Sequence, residues 1–162
     1  SQSPPQTKRQ KKPARKQSRQ PLRRARMFAD TELVFPITDS VDNAMAISAA
    51  RRLCADIGFA ESDQFLVATV VSELATNILH YAGQGEVRIK ALQVYGRQGV
   101  EVLAVDHGPG IADITRALTD NYSTGGTLGL GLPSVKRIMD EFTIESEPGC
   151  GVRCLARKWK VT

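Results

Sequence analysis

Two helical patterns stand back to back between residues 39 and 83. After them come strand patterns, one short helical stretch and one late helix. That order constrains the fold more than any other feature. A doubly wound sheet needs strands and helices in alternation, and this chain does not alternate. The expected fold is α+β: a two-layer α/β sandwich, with one mixed, mostly antiparallel sheet and helices on one face.

The elements follow from local signals. Glu32 to Ile37 reads as a first strand, punctuated by Pro36. Asp39 or Ser40 caps a helix with apolar positions Val41, Ala44, Met45, Ile47 and Leu53, and Gly58 stops it. Ser62 caps the next, which carries Phe65, Leu66, Val70, Val71, Leu74, Ile78 and Leu79 and ends at Ala82-Gly83. Val87, Ile89 and Ala91 alternate with polar residues, Gly96 to Gly99 turns, and Val100 to Val105 returns as a hairpin. Asp113 to Leu118 reads as a short helix and Asn121 to Thr127 as a loop. Leu130 to Glu141 reads as a helix. Phe142 to Ser146 and Val152 to Trp159 read as strands joined by a Pro-Gly turn.

Charge divides the chain at its N-terminal side. Residues 1–26 hold ten of the 22 Lys and Arg and no acid, whereas the remaining twelve basic residues face 17 Asp and Glu, a net of −5. With Leu22 as its one large apolar residue, this stretch buries too little surface to offset its ordering entropy. It is expected to be a disordered basic arm over 1–27, ahead of one domain over 28–162. The arm either stays solvated or contacts a polyanion, and its lack of aromatics argues against base stacking. No apolar run reaches the ~18 residues of a membrane span. No apolar signal-peptide core follows the basic start, so a cytoplasmic location is expected. Cys54, Cys150 and Cys154 show no metal spacing and are expected to be small buried hydrophobes.

Three short segments carry chemistry. In S-E-L-A-T-N, Glu73 and Asn77 are spaced i, i+4 and share a helix face that His80 extends. An Asn oxygen suits Mg²⁺, which keeps waters and takes phosphate oxygens as further ligands. A carboxylate one turn away is placed to take a proton from an attacking hydroxyl. Solvent-facing helices carry the same residue pair for no such reason. In D-H-G-P-G-I, Asp106 closes a strand, where it either receives an exocyclic amine such as that of adenine or starts a tight Asx turn. Gly108 and Gly110 let backbone approach a flat ring. In G-G-T-L-G-L-G-L-P, glycines run into a helix whose N-terminus favours phosphate. There is no G-x-x-x-x-G-K-[ST] loop, so a nucleotide is held in another way.

In this order the segments resemble the N, G1 and G2 boxes of the GHKL ATPase and kinase superfamily. The resemblance covers about residues 30–160. Small size and the stretches Arg52 to Phe59, Tyr81 to Gly85, Met139 to Phe142 and Lys158-Trp159 are similar to the stand-alone serine/threonine kinases of bacterial partner-switching systems. The resemblance implies a Bergerat fold binding ATP and Mg²⁺ under a lid over about residues 112–128. Glu73 is then the catalytic base, Asn77 the Mg²⁺ ligand and Asp106 the receiver of the adenine amine. Gly108, Gly110, Ile111, Gly125, Gly126, Thr127, Gly129, Leu130 and Gly131 complete the nucleotide site. The implied acceptor is a Ser or Thr of a STAS-domain protein, with a PP2C-type phosphatase or a sigma factor as further partners. Thr76 stands where such kinases usually have Arg and where anti-sigma factors commonly have Thr; His107 and Thr127 also depart from the pattern. The alternatives are an anti-sigma factor that sequesters a sigma factor, and an ATP-binding adapter that activates a phosphatase.

Overall fold

The computed structural model describes residues 32–112, 117–119 and 131–161. They run as β1 (Glu32–Ile37), α1 (Ser40–Ile57), α2 (Glu61–Tyr81), β2 (Gly85–Val94), β3 (Arg97–Asp106), α3 (Gly131–Ile138), β4 (Glu141–Glu147) and β5 (Gly151–Trp159). The arm at 1–27, most of the short helix at 113–118 and the loop at 121–127 fall outside the described residues.

The strands form one sheet in the order β1-β2-β3-β5-β4. The expected mixture of directions is corrected here: all four pairings are antiparallel. β3 and β4 do run the same way, but β5 folds back between them, so the two parallel-running strands never touch. Alternation puts Val87, Ile89 and Ala91 of β2, Val100, Val102 and Ala104 of β3, and Cys154 and Ala156 of β5 on one face, all buried. That face packs under α1, α2 and α3 in a single core, which is the expected two-layer sandwich. The other face carries a row of charge across all five strands: Glu32, Lys90, Glu101, Arg157 and Glu141 lie side by side. Glu101 is 7% exposed and sits between Lys90 Nζ at 3.4 Å and Arg157 Nε at 2.7 Å. A carboxylate removed from water this far needs both partners.

The helix ends show local rules at work and also being overridden. Asp39 caps α1 with a reciprocal box: Asp42 N donates to Asp39 Oδ1 at 3.0 Å, and Asp39 N to Asp42 Oδ2 at 3.3 Å. Gly58 ends it in the left-handed region. The buried stripe of α1 is Ala46, Ala50, Leu53, Cys54 and Ile57, not Val41, Ala44 and Met45, which are exposed. This stripe joins the shared core. α2 begins at Glu61 behind Ala60, with no side-chain cap, so Ser62 lies inside the first turn and is not the cap. Phe65 and Leu66 are exposed rather than core; the Arg51 guanidinium lies 4.3 Å over the Phe65 ring. Val70, Val71, Leu74 and Ile78 are buried as expected.

The hairpin turn is the two residues Tyr95-Gly96, both at positive φ, rather than Gly96 to Gly99. Positive φ at both centres matches strand twist. α3 stops at Ile138 instead of Glu141. There sheet pairing takes over: Asp140 N donates to Arg157 O, and Trp159 N to the Asp140 carboxylate. No described helix is long and apolar enough to cross a membrane.

Candidate nucleotide site

The parity of β3 decides the site. Val100, Val102 and Ala104 point into the core, so Asp106 at the strand end points the same way, toward the helices. It is 7% exposed. Its Oδ1 accepts from Gly108 N at 3.0 Å and from Val152 N at 3.2 Å. Oδ2 has no hydrogen bond among the described residues. The Asx turn, one of the two readings of this residue, is therefore present and is built by Oδ1 alone. Asp106 shares a cleft with Leu74, Asn77, Tyr81, Ile111, Val152 and Cys154, among others. Its walls are mostly apolar, with a few polar groups, as small-molecule sites are.

The turn after Asp106 is held from two sides. A Cβ at Gly108 would lie 2.6 Å from Ala82 Cβ, so the turn rests directly on the end of α2. Gly110 has φ +79°, and a Cβ there would come within 2.5 Å of Glu147 O. Only glycine fits both the conformation and the space. Ile111 N donates to Ser146 Oγ at 2.7 Å, which fixes Ile111 at the cleft.

α2 supplies the remaining polar groups. Glu73 and Asn77 are half-buried, while Thr76 and His80 between and beyond them are exposed. Asn77 lines the cleft, and its amide makes no hydrogen bond among the described residues. Glu73 Oε2 accepts from Gly131 N, the first residue of α3, at 3.0 Å. A helix N-terminus carries unpaired N–H groups and partial positive charge, so a carboxylate there is favoured. His80 leaves the stripe and packs edge-on against Tyr81.

Of the expected residues, Asn77, Asp106 and Ile111 line the cleft; Gly108 and Gly110 belong to the turn between Asp106 and Ile111, and Glu73 is tied to Gly131 at the start of α3. Gly125, Gly126, Thr127, Gly129 and Leu130 lie outside the described residues. Tyr81, Ser146, Val152 and Cys154 were missed as site residues. Alternation marks Val152 and Cys154 as sharing a face, but nothing local announces that β5 lies beside β3. Burial pushes the Cys154 thiol up to about 12, with the Asp106 charge adding to the effect, so Cys154 is an inert wall. Cys54 is buried too, as expected; Cys150, on the β4–β5 turn, is exposed rather than buried.

Comparison with known proteins agrees with this geometry. Residues 37–156 match the family model described as the histidine kinase-like ATPase domain. The serine/threonine-protein kinase RsbT of Bacillus subtilis (strain 168) is 43% identical over 118 residues, covering 73% of this chain and 89% of that protein. The anti-sigma F factor of Clostridium novyi (strain NT) is 33% identical over 97 residues, covering 57% of this chain and 68% of that one. Among solved structures, the RsbU and RsbW domains of Rv1364c from Mycobacterium tuberculosis superpose with a TM-score of 0.56 at 16% identity, over 82% of this chain and 33% of that one. A chain of the SiaB-SiaC complex from Pseudomonas aeruginosa gives 0.51 at 18%, over 89% and 99%. At these identities the two structures share the fold. The family match takes in the helices, β2 to β4, most of β5 and the residues that line the cleft, and the chain belongs to the histidine kinase-like ATPase family, a branch of the GHKL superfamily.

Proposed function

We propose that this chain is an ATP-dependent protein serine/threonine kinase of a bacterial partner-switching system. It would phosphorylate a STAS-domain regulator in the cytoplasm and so control sigma-factor or stress signalling. One observation carries the reading: a helix presents Glu73 and Asn77 one turn apart, beside the cleft that the buried Asp106 closes. The 43% identity to a serine/threonine kinase over most of both chains supports the choice of reaction.

Each role follows from position. The unbonded Asp106 Oδ2 receives the exocyclic amine of adenine, and the apolar walls take the faces of the ring. Asn77 offers an amide oxygen with no competing partner, which fits a hard cation bound mainly through water and phosphate. Mg²⁺ held there would neutralise charge on the phosphates. The Gly131 N–H is taken by Glu73, so phosphate oxygens fall to the glycines before it. Glu73 is the base: it takes the proton of the acceptor hydroxyl as that oxygen attacks the γ-phosphorus, while the bond from the γ-phosphorus to the β,γ-bridging oxygen breaks and ADP leaves.

The test is direct transfer. The purified chain, ATP, Mg²⁺ and a STAS-domain protein from the same genome are incubated, and the acceptor is analysed by mass spectrometry. A phosphorylated Ser or Thr supports the reading. ATP bound without transfer, together with inhibition of sigma-dependent transcription, would replace it with sequestration of a sigma factor. ATP bound with stimulation of a PP2C-type phosphatase would replace it with an adapter role.

A further inference from the structure

We propose that Ser146 is a positioning residue for the nucleotide, locking the Asp106–Ile111 turn against the β4–β5 turn. The proposal rests on the ATP-site reading above and adds a residue that the three sequence segments do not contain.

Ser146 stands where β4 would otherwise place another apolar side chain. Phe142 and Ile144 of the same parity pack on the core, and Ser146 follows them at the cleft end of the strand. Its hydroxyl is used twice: Oγ accepts from Ile111 N at 2.7 Å and donates to Gly151 O at 3.1 Å. One side chain therefore joins the recognition turn to the first residue of β5. Two further bonds run in parallel, Gly149 N to Pro109 O at 2.9 Å and Val152 N to Asp106 Oδ1 at 3.2 Å. Among the described residues, the bond within the turn is Gly108 N to Asp106 Oδ1; beyond the pairing of Asp106 with Gly85 of β2, the bonds that hold it run to residues 146–152. The two turns also touch as backbone. Gly151 has φ +85°, and a Cβ there would lie 2.1 Å from Asp106 O.

Pro109 and the glycines of this turn provide no side-chain anchor, so external bonds set its shape. Removing the hydroxyl leaves the half-exposed Ile111 N–H to water, which does not fix geometry, and takes its donor from the carbonyl of the buried Gly151. The turn then spends less time in the binding-competent shape. Apparent affinity falls in proportion to that fraction. Bound nucleotide restores the shape, so the chemical step is untouched.

Ser146→Ala is compared with Ser146→Thr, which keeps the hydroxyl. For Ser146→Ala the KM and Kd for ATP are expected to rise about tenfold, the scale of one hydrogen bond. kcat at saturating ATP and the KM for the protein acceptor stay within about twofold of wild type. Amide exchange at Ile111 in the nucleotide-free protein speeds up by a similar factor, and Ser146→Thr recovers both values. An unchanged ATP Kd, a loss confined to kcat, or a threonine variant as weak as alanine would each overturn the proposal. Calorimetry on the unaltered protein separates the two ideas. A wild-type chain that binds no ATP refutes the ATP site and the nucleotide role of Ser146 with it. A wild type that binds, beside an alanine variant that binds equally well, refutes only the role of Ser146.

Discussion

Asp106→Asn separates recognition from folding. Oδ1 of the Asp106 carboxylate holds the Gly108 and Val152 N–H groups, and Oδ2, with no hydrogen bond among the described residues, is the oxygen proposed to receive the adenine amine. An asparagine can keep its carbonyl oxygen on the two internal donors and so place its NH₂ where Oδ2 was. A donor then faces the adenine amine, also a donor. The loss is that of a charge-assisted hydrogen bond, about 1–3 kcal/mol, or roughly 5- to 150-fold in Kd. Melting temperature stays close to wild type, because both internal bonds persist and a buried charge is removed. Asp106→Ala behaves differently. It strands the N–H groups of the half-buried Gly108 and Val152, each costing up to about 1–3 kcal/mol, and so lowers both stability and affinity. Isothermal titration with ATP and GTP, beside thermal melts of the three proteins, reads both effects. An asparagine variant with unchanged ATP affinity refutes the assignment of Oδ2. An asparagine variant that melts as low as the alanine variant refutes the division between the two oxygens.

Glu73→Gln is expected to bind ATP normally and to slow phosphoryl transfer roughly 10²–10⁴-fold, the usual share of a general base; wild-type transfer in single-turnover assays would remove Glu73 from the mechanism. Cys54 and Cys154 are held by burial at about 12, above the ordinary thiol value of 9.0. Their folded-state values are raised, so the stability they confer is complete below pH ~9 and is lost as the pH climbs toward 12. Urea titrations across that range should show the decline, and Cys154→Ala should flatten it. A thiol reagent at neutral pH should modify Cys150 at once and the other two only on unfolding. Deleting residues 1–27 should leave melting temperature and ATP affinity nearly unchanged; a marked fall in either would place part of that segment on the domain.

What could be read from the sequence was what neighbours along the chain decide. Asp39 caps α1 because its partner Asp42 is three residues away, and Gly58 ends the helix because left-handed backbone favours glycine. β1 and the core-facing residues of β2 follow from simple alternation. The face of α1 could not be read this way. Val41 and Met45 have helical spacing but lie outside, because tertiary packing decides which stripe is covered, and it covers the one with Ala46 and Ala50. The hairpin turn was misplaced because Tyr95, a bulky residue at φ 49°, gives no glycine signal. α3 was read too long because its end is set by a partner strand. In the site, Glu73, Asn77 and Asp106 stood out through residue type and spacing. Ser146 and Val152 did not, because their roles exist only once β5 lies between β3 and β4.

That insertion has a kinetic consequence. β2 and β3 meet through a two-residue turn, so their pairing closes a very short loop. Val152 reaches Asp106 from 46 residues further along the chain, and a loop of that length closes late and slowly. Until it closes, one edge of β3 is bare and Asp106 lacks its second anchor. No early species on the folding path therefore offers a finished pocket, and nucleotide binds only after the sheet is complete. A ligand of the native state alone leaves the refolding rate unaltered and slows unfolding. In a chevron plot, saturating ATP should lower the unfolding arm and leave the folding arm in place: nucleotide lengthens the life of the folded molecule without helping it to form.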